Sequence, residues 1–142
     1  MSSETDRAWE ALMRVHAKLV PRFDREMQAA TGLPLTWYDV LLELHTAGSR
    51  LTMSELAGRV VLSRTRVSRL VEELVRAGLV AREPNPDDGR SSFAVLTDEG
   101  RRRLREAAPI YVGAIDRDVG TPVTAAQLRQ VAETLEAILA AD

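Results

Sequence analysis

The middle of the chain carries a run of arginine, serine and threonine residues whose chemistry suits contact with a polyanion. Residues 56–71 contain four arginines and no acidic residue. Guanidinium and hydroxyl groups donate hydrogen bonds to phosphate oxygens and to the edges of bases, so this run is typical of a surface that binds nucleic acid. The candidate DNA-binding residues in this run are Ser63, Arg64, Thr65, Arg66, Ser68 and Arg69.

The distribution of charge agrees with a basic surface of limited extent. The 142-residue chain has a formal net charge of −2. Residues 50–105 contain twelve arginines against eight acidic residues, whereas the remainder contains seven basic and thirteen acidic residues. This partition predicts a phosphate-facing patch on an otherwise acidic protein, and a solvated basic face is the alternative that charge alone leaves open.

The sequence contains no pattern typical of catalysis or metal binding. There is no cysteine, which excludes disulfide bonds, thiolate nucleophiles and cysteine zinc sites. His16 and His45 are far apart in sequence, no carboxylate shares a metal-ligand spacing with either, and no phosphate loop or nucleophile elbow occurs. We therefore expect no enzymatic activity, no catalytic residue, no metal and no cofactor.

The composition is that of one compact domain. Apolar residues make up 45% of the chain and charged residues 28%, and this length is enough for a single hydrophobic core. The apolar runs are only a few residues long and the first residues are polar, which predicts neither a membrane span nor a secretory signal. We expect a single cytoplasmic domain, residues 1–142, with no membrane partner.

Two adjacent helices are predicted to position the basic run. Thr52 and Glu55 have the spacing of a capping box, which predicts the start of a short helix that ends near Val60. Ser63 is the expected N-cap of the next helix, whose buried stripe leaves its arginine and hydroxyl residues exposed. That apolar stripe consists of Val67, Leu70, Val71 and Leu74.

A change from helical to alternating periodicity follows Gly78. Residues 80–83 and 92–96 are predicted strands, joined by residues 84–91, which include two prolines and a glycine. Two short helices followed at once by a β-hairpin form a winged helix-turn-helix, in which the second helix enters the major groove. The predicted fold class is mainly α (α+β), with about six helices and a two-stranded β-hairpin wing. Residues 35–100 form its expected DNA-binding core.

The first and last helices have more apolar surface than this core can cover. Helical periodicity runs from Ser3 to about Ala30, and a capping box at Thr124 and Gln127 begins the last helix. We expect residues 1–32 and 101–142 to be dimerisation helices of a homodimer, and the alternative is that they fold back on their own core. The residues expected to need a partner surface are Trp9, Leu12, Leu19, Leu135, Ile138 and Leu139.

Five short segments carry a family resemblance: residues 53–57, 62–71, 77–80, 88–90 and 95–100. In the order and spacing of these segments the chain resembles the multiple-antibiotic-resistance regulator (MarR) family of bacterial winged-helix transcription factors. The resemblance implies a sequence-specific transcriptional regulator, expected to be a repressor. It also implies that a homodimer binds a palindromic operator on double-stranded DNA.

The wing tip and the turn between the two helices depart from the family pattern. Val61 stands where these proteins usually have a turn glycine, and Gly89 where they usually have a basic or polar residue. The resemblance implies that Arg90 reaches the minor groove, whose negative potential attracts arginine. Asp88 is expected to stabilise the wing by pairing with a nearby arginine, because a carboxylate directed at phosphate would be repelled.

The resemblance also implies a small-molecule effector, since family members often bind a phenolic or lipophilic compound between the dimerisation helices and the DNA-binding core. Arg14 or Arg50 would then pair with a carboxylate of such a small aromatic or lipophilic effector. The candidate effector-binding residues, each of which has packing as its alternative role, are Trp9, His16, Trp37, Tyr38 and Tyr111. The alternative function is a winged-helix protein–protein interaction module without specific DNA binding, and salt-dependent binding of random duplex DNA distinguishes the two.

Overall fold

The computed structural model describes residues 3–60 and 64–142, apart from the side chain of Arg64. The helices are α1 (Glu4–Thr31), α2 (Leu35–Thr46), α3 (Met53–Arg59), α4 (Arg64–Arg76), α5 (Asp98–Ile115) and α6 (Ala125–Ala140). A π-helical turn, Asp116–Gly120, follows α5. The strands are β1 (Arg50–Thr52), β2 (Val80–Pro84) and β3 (Ser92–Leu96). The predicted mainly helical winged helix-turn-helix is confirmed, whereas the interpretations of Val61 and Ser63 lie outside the described residues.

The wing is a three-stranded antiparallel sheet rather than the two-stranded hairpin that the sequence predicted. Its strand order is β1-β3-β2, and β3 pairs with β1 through Leu51 and Ala94 and with β2 through Val80 and Leu96. Strand β1 has three residues, which is too few for an alternating pattern to show. It is recognisable only from its distant partner, because its hydrogen bonds go to a strand some forty residues later.

Side-chain caps fix most of the helix starts as predicted. The Thr52 hydroxyl accepts from the Glu55 amide at 3.2 Å, while Glu55 Oε1 accepts from the Thr52 amide at 2.9 Å. A second capping box begins α6 at Thr124. Helix α2 instead begins at Leu35 without a side-chain cap. There the Leu35 amide donates to Asp24 Oδ1 of α1 at 2.8 Å, so a tertiary contact supplies the acceptor that a local cap would otherwise provide.

The core lies where α2, α4 and the sheet meet the C-terminal half of α1 and the N-terminal half of α5. The predicted stripe of α4 faces it: Val67, Val71 and Leu74 are fully buried, and Leu70 is half-buried. Leu19 also belongs to this core, so the expectation that it needs a partner surface is wrong. Packing of α1 on α5 places it inside its own chain.

Gly100 lets α5 approach the sheet closely. A Cβ atom added there would lie 2.2 Å from the main-chain oxygen of Leu79 and 2.8 Å from Leu96 Cδ1. The Leu79 end of this contact is held by the C-terminus of α4, where Gly78 has a left-handed φ of 78° and the Leu79 amide donates to Leu74. The C-terminal end of α4, the wing and α5 therefore meet at one backbone contact.

Polar contacts tie α1 to the chain that follows the wing. Arg103 Nη2 of α5 donates to the main-chain oxygen of Thr31 at 2.7 Å, and Arg117 Nη2 of the π-helical turn donates to Glu26 Oε1 at 2.6 Å. Hydrogen bonding to Arg117 holds the pKa of Asp118 down at about 2. Within the described residues, no helix has both the length and the apolar character needed to cross a membrane.

Candidate nucleic-acid interface

Helix α4 presents its polar face to solvent, as its apolar stripe predicted. Thr65, Arg66 and Arg69 are exposed, and Ser68 is half-buried. Thr65, Ser68, Arg69 and Glu72 follow helical spacing and line one shallow surface depression. Of the other two candidates, Arg64 begins the helix with its side chain undescribed, and Ser63 lies outside the described residues.

The wing tip is held by short-range hydrogen bonds around Asp88. Asp88 Oδ1 accepts from the Arg90 main-chain amide at 3.0 Å, and the Asp88 main-chain oxygen accepts from the Ser91 amide at 3.2 Å. Asn85 Nδ2 donates to the Ser91 hydroxyl at 3.1 Å. Asp88 therefore contacts backbone in the described residues rather than the arginine side chain expected from sequence, and the Arg90 side chain is left exposed.

Gly89 does not need the conformational freedom of glycine at this tip. Its φ lies outside the left-handed region, and a Cβ atom there would meet nothing within 4 Å. A basic side chain of the kind usual in the family would thus fit without strain. The tip is closed by hydrogen bonds on either side of this residue, so its missing side chain removes a contact group without opening the turn.

A cavity between α4 and the wing contains residues that sequence reasoning missed. Arg82 of β2 reaches across to α4, where its Nη2 lies 3.4 Å from the Ser68 hydroxyl. Ser54 of α3 and Ser92 of β3 line the same cavity of about 300 Å³, together with Arg90. Four separate elements meet here, namely α3, α4, β2 and β3, and no local sequence signal connects them.

A second cavity, of about 250 Å³, lies between α2 and α5. Of the five candidate effector residues, only Tyr38 lines it. The lining residues His45, Arg101 and Arg105 were not among the sequence candidates. They belong to two helices that are distant in sequence, so only the packing of α2 on α5 brings them together.

The remaining effector candidates lie elsewhere. Trp37 is half-buried and donates to Glu73 Oε2 at 3.1 Å, and Tyr111 packs edge-on against Tyr38, with ring centroids 5.1 Å apart. Trp9 and His16 are exposed on the N-terminal half of α1. The expected carboxylate partners also differ: Arg50 stacks on the Phe93 ring at 4.1 Å, and Arg14 pairs with Glu10 at 2.6 Å.

Asp39 has a perturbed carboxyl group next to this aromatic cluster. Partial desolvation and, to a smaller extent, the charge of the Glu43 carboxylate raise the pKa of Asp39 to about 6, although Asp39 is an exposed residue. Burial, followed by the Asp39 charge, also raises the pKa values of Tyr38 and Tyr111. The two phenols are therefore neutral hydrogen-bonding groups at physiological pH.

Comparison with known proteins gives a consistent result. The MarR family model matches residues 31–91, a segment that runs from the last residue of α1 to the wing tip. The crystal structure of Sco3205, a MarR family transcriptional regulator from Streptomyces coelicolor in complex with DNA, is 33% identical and superposes with a TM-score of 0.90. The match covers 98% of this chain and 88% of that one. The chain belongs to the MarR family. The curated relatives and the matched structures that name a function are transcriptional regulators, which is the class of protein that the sequence predicted.

Two further relatives show the range of similarity. CouR from Rhodococcus jostii RHA1, solved bound to p-coumaroyl-CoA, is 25% identical with a TM-score of 0.83, covering 100% of this chain and 98% of that one. The transcriptional repressor MprA from Escherichia coli strain K12 is 30% identical over 98 residues, which is 68% of this chain. This MarR-family chain spans about half the length of the curated relatives that it matches, 55% in the case of MprA.

Proposed function

We propose that this MarR-family protein is a repressor that binds a palindromic operator as a homodimer and is released by a small-molecule effector. The observation that carries the proposal is the joint exposure of the polar face of α4 and of Arg90 on the wing. A helix in the major groove with an arginine in the adjacent minor groove is a workable way to bind duplex DNA. The proposed DNA-contacting residues are Ser63, Arg64, Thr65, Arg66, Ser68, Arg69 and Arg90, with Asp88 stabilising the wing.

The homodimer is supported by apolar surface at both ends of the chain. Helix α6 has no buried residue, and Ile138 and Leu139 expose 64% and 84% of their surface. Trp9 of α1 is 63% exposed. A second copy that covers these faces gives a two-fold axis, which matches the symmetry of a palindromic site. We accordingly assign residues 35–100 to the DNA-binding core of a single domain and residues 1–32 and 101–142 to dimerisation.

The effector is proposed to occupy the cavity between α2 and α5. Its wall combines Leu104 and Ala108 with the cationic Arg101 and Arg105, and the Tyr38 phenol adds a hydrogen-bonding group. Such a lining suits a small aromatic or lipophilic compound that carries an anionic group. The complex of the relative CouR with p-coumaroyl-CoA supports this chemistry, since that ligand joins a phenol to an anionic group.

The deciding experiment is footprinting with DNA from upstream of the protein's own gene. We expect protection of one inverted repeat whose half-sites are separated by whole helical turns, and about tenfold or greater loss of that binding in Arg69→Ala. Arg7→Ala, which removes a charge from the exposed start of α1, is the control. Failure of the wild-type protein to bind any duplex in a salt-dependent manner would favour the protein–protein interaction module instead.

A further inference from the structure

The cavity between α4 and the wing has the lining of an anion site. Two guanidinium groups and four hydroxyl groups face it, and no carboxylate is among the lining residues that the structure describes. Arginine together with serine hydroxyls is the combination that binds phosphate oxygens through charge-assisted hydrogen bonds. The polar lining residues are Ser54, Ser68, Arg82, Arg90, Ser91 and Ser92.

The charge of Arg82 is available to a ligand. Other arginines of the chain are paired with carboxylates, as when Arg102 pairs with Glu106 at 2.5 Å and Arg117 with Glu26 at 2.6 Å. Among the described residues, Arg82 forms no such ion pair and has only the 3.4 Å contact with the neutral Ser68 hydroxyl. This long hydrogen bond orients the guanidinium across the cavity without neutralising it.

The position of the cavity identifies the anion. Helix α4 and the wing flank it, and in the proposed complex these two elements enter the major groove and the adjacent minor groove. Neighbouring grooves of duplex DNA are separated by one sugar–phosphate strand, so that strand must cross the gap between α4 and the wing. We propose that Arg82, with the Ser68 and Ser92 hydroxyls, binds a DNA phosphodiester at this crossing. The inference rests on the proposed mode of DNA binding.

This assignment changes the role of Ser68. The sequence pattern placed Ser68 among the residues that contact DNA from the face of α4, where hydroxyls can read base edges. Its contact with Arg82 draws the hydroxyl toward the wing side of the helix. Ser68 then acts on the phosphate and on the orientation of Arg82, while Thr65 and Arg69 remain on the face available to bases.

The test measures affinity for two duplexes, one with the protected inverted repeat and one of random sequence, over a series of salt concentrations. Arg82→Ala is expected to weaken binding of both duplexes by the same factor. It should also reduce the slope of log K against log salt by about 0.9 for each protomer, because one phosphate contact is lost. Arg82→Lys retains the charge and should restore the slope. Ser68→Ala should likewise weaken both duplexes equally, without changing the preferred bases.

Three outcomes would overturn the assignment. If Arg82→Ala has the same slope as wild type and as Arg7→Ala, Arg82 contacts no phosphate, although the proposed function would stand. If Arg82→Ala or Ser68→Ala changes which bases are preferred, the site reads sequence. If inorganic phosphate binds the wild type but not Arg82→Ala, as measured by calorimetry, while both bind DNA equally, the cavity takes a free anion. Complete absence of DNA binding by wild type would instead contradict the proposed function itself.

Discussion

The indole Nε1 of Trp37 donates a hydrogen bond to Glu73 Oε2 at 3.1 Å, which joins α2 directly to α4. The next residue along α2, Tyr38, lines the cavity between α2 and α5. A ligand that displaces α2 would therefore move Trp37, whose indole is hydrogen-bonded to α4. Trp37, considered from sequence as an effector contact, lies between the two sites rather than in the cavity.

Trp37→Phe is expected to lower the free energy of unfolding by about 1–2 kcal/mol, because a half-buried carboxylate loses its donor while the aromatic packing is largely retained. Urea denaturation at fixed protein concentration measures the change. Glu72→Gln is the matched control, since Glu72 is exposed one residue earlier on α4. Equal stability of Trp37→Phe and wild type would show that the hydrogen bond contributes nothing.

Gly100→Ala is expected to destabilise the fold by about 1–3 kcal/mol, because the new methyl group overlaps the main-chain carbonyl of Leu79, which also accepts a hydrogen bond from the Thr97 amide. Gly58→Ala in α3 provides the comparison. Its Cβ meets nothing within 4 Å, and alanine at this helical position near the end of α3 should add up to about 0.5–1 kcal/mol. Thermal unfolding should show a lower melting temperature for Gly100→Ala and a higher one for Gly58→Ala. An unchanged melting temperature of Gly100→Ala would contradict the close contact.

Asp88→Ala should weaken DNA binding without changing base preference, because the wing tip loses the acceptor of the Arg90 amide. Asp88→Asn retains an acceptor oxygen and removes a negative charge near the DNA. It should therefore bind at least as tightly as wild type. Titration of both variants against one operator at fixed salt tests this. Weakening by Asp88→Asn to the level of Asp88→Ala would show that the charge, and not the hydrogen bond, matters.

Stability should fall as pH rises past the titration of Asp39. Its pKa of about 6 in the folded protein lies above the ordinary value of 3.8, so the folded state keeps the proton longer than the unfolded state does. The resulting contribution is complete below 3.8 and is lost as pH rises through 6. Asp39→Asn, which cannot ionise, should gain stability relative to wild type at about pH 7.5 but not at about pH 3.5.

Carboxyl chemical shifts followed by NMR provide the direct check on Asp39. Glu43→Gln should lower the pKa of Asp39, because it removes the nearby negative charge that disfavours ionisation. A stability difference between Asp39→Asn and wild type that is independent of pH would contradict the perturbed titration.

Sequence predicted the features that depend on neighbours a few residues away. The capping boxes at Thr52 and Thr124, the stripe of α4 and the strands of the wing all rest on local spacing, and the structure has each of them. The features that sequence missed join distant segments. Strand β1, the acceptor that Asp24 supplies to α2, and the meeting of Arg82 with Ser68 exist only after the chain has folded.

The exposed face of α4 and the cavity between α2 and α5 differ in the same way in how far sequence could predict them. Residues on the exposed face of α4 could be listed from a helical wheel, since one helix carries them all. The lining of the α2–α5 cavity could not, because His45 and Arg101 are brought together by packing of two helices. Aromatic residues were the effector candidates by residue type. The Trp37 indole, however, donates a hydrogen bond to Glu73, and the Tyr111 ring packs against Tyr38.

In the proposed homodimer, the lack of buried residues in α6 predicts that the folding of this segment depends on protein concentration. A helix of sixteen residues is marginal by itself in water, so its helical content reflects what covers it. With a second copy as the proposed cover, mass action links the order of the C-terminus to the amount of protein present. Dilution should therefore fray α6 before it disturbs the core. The fraction of chains with an ordered C-terminal helix would then rise with the concentration of the protein.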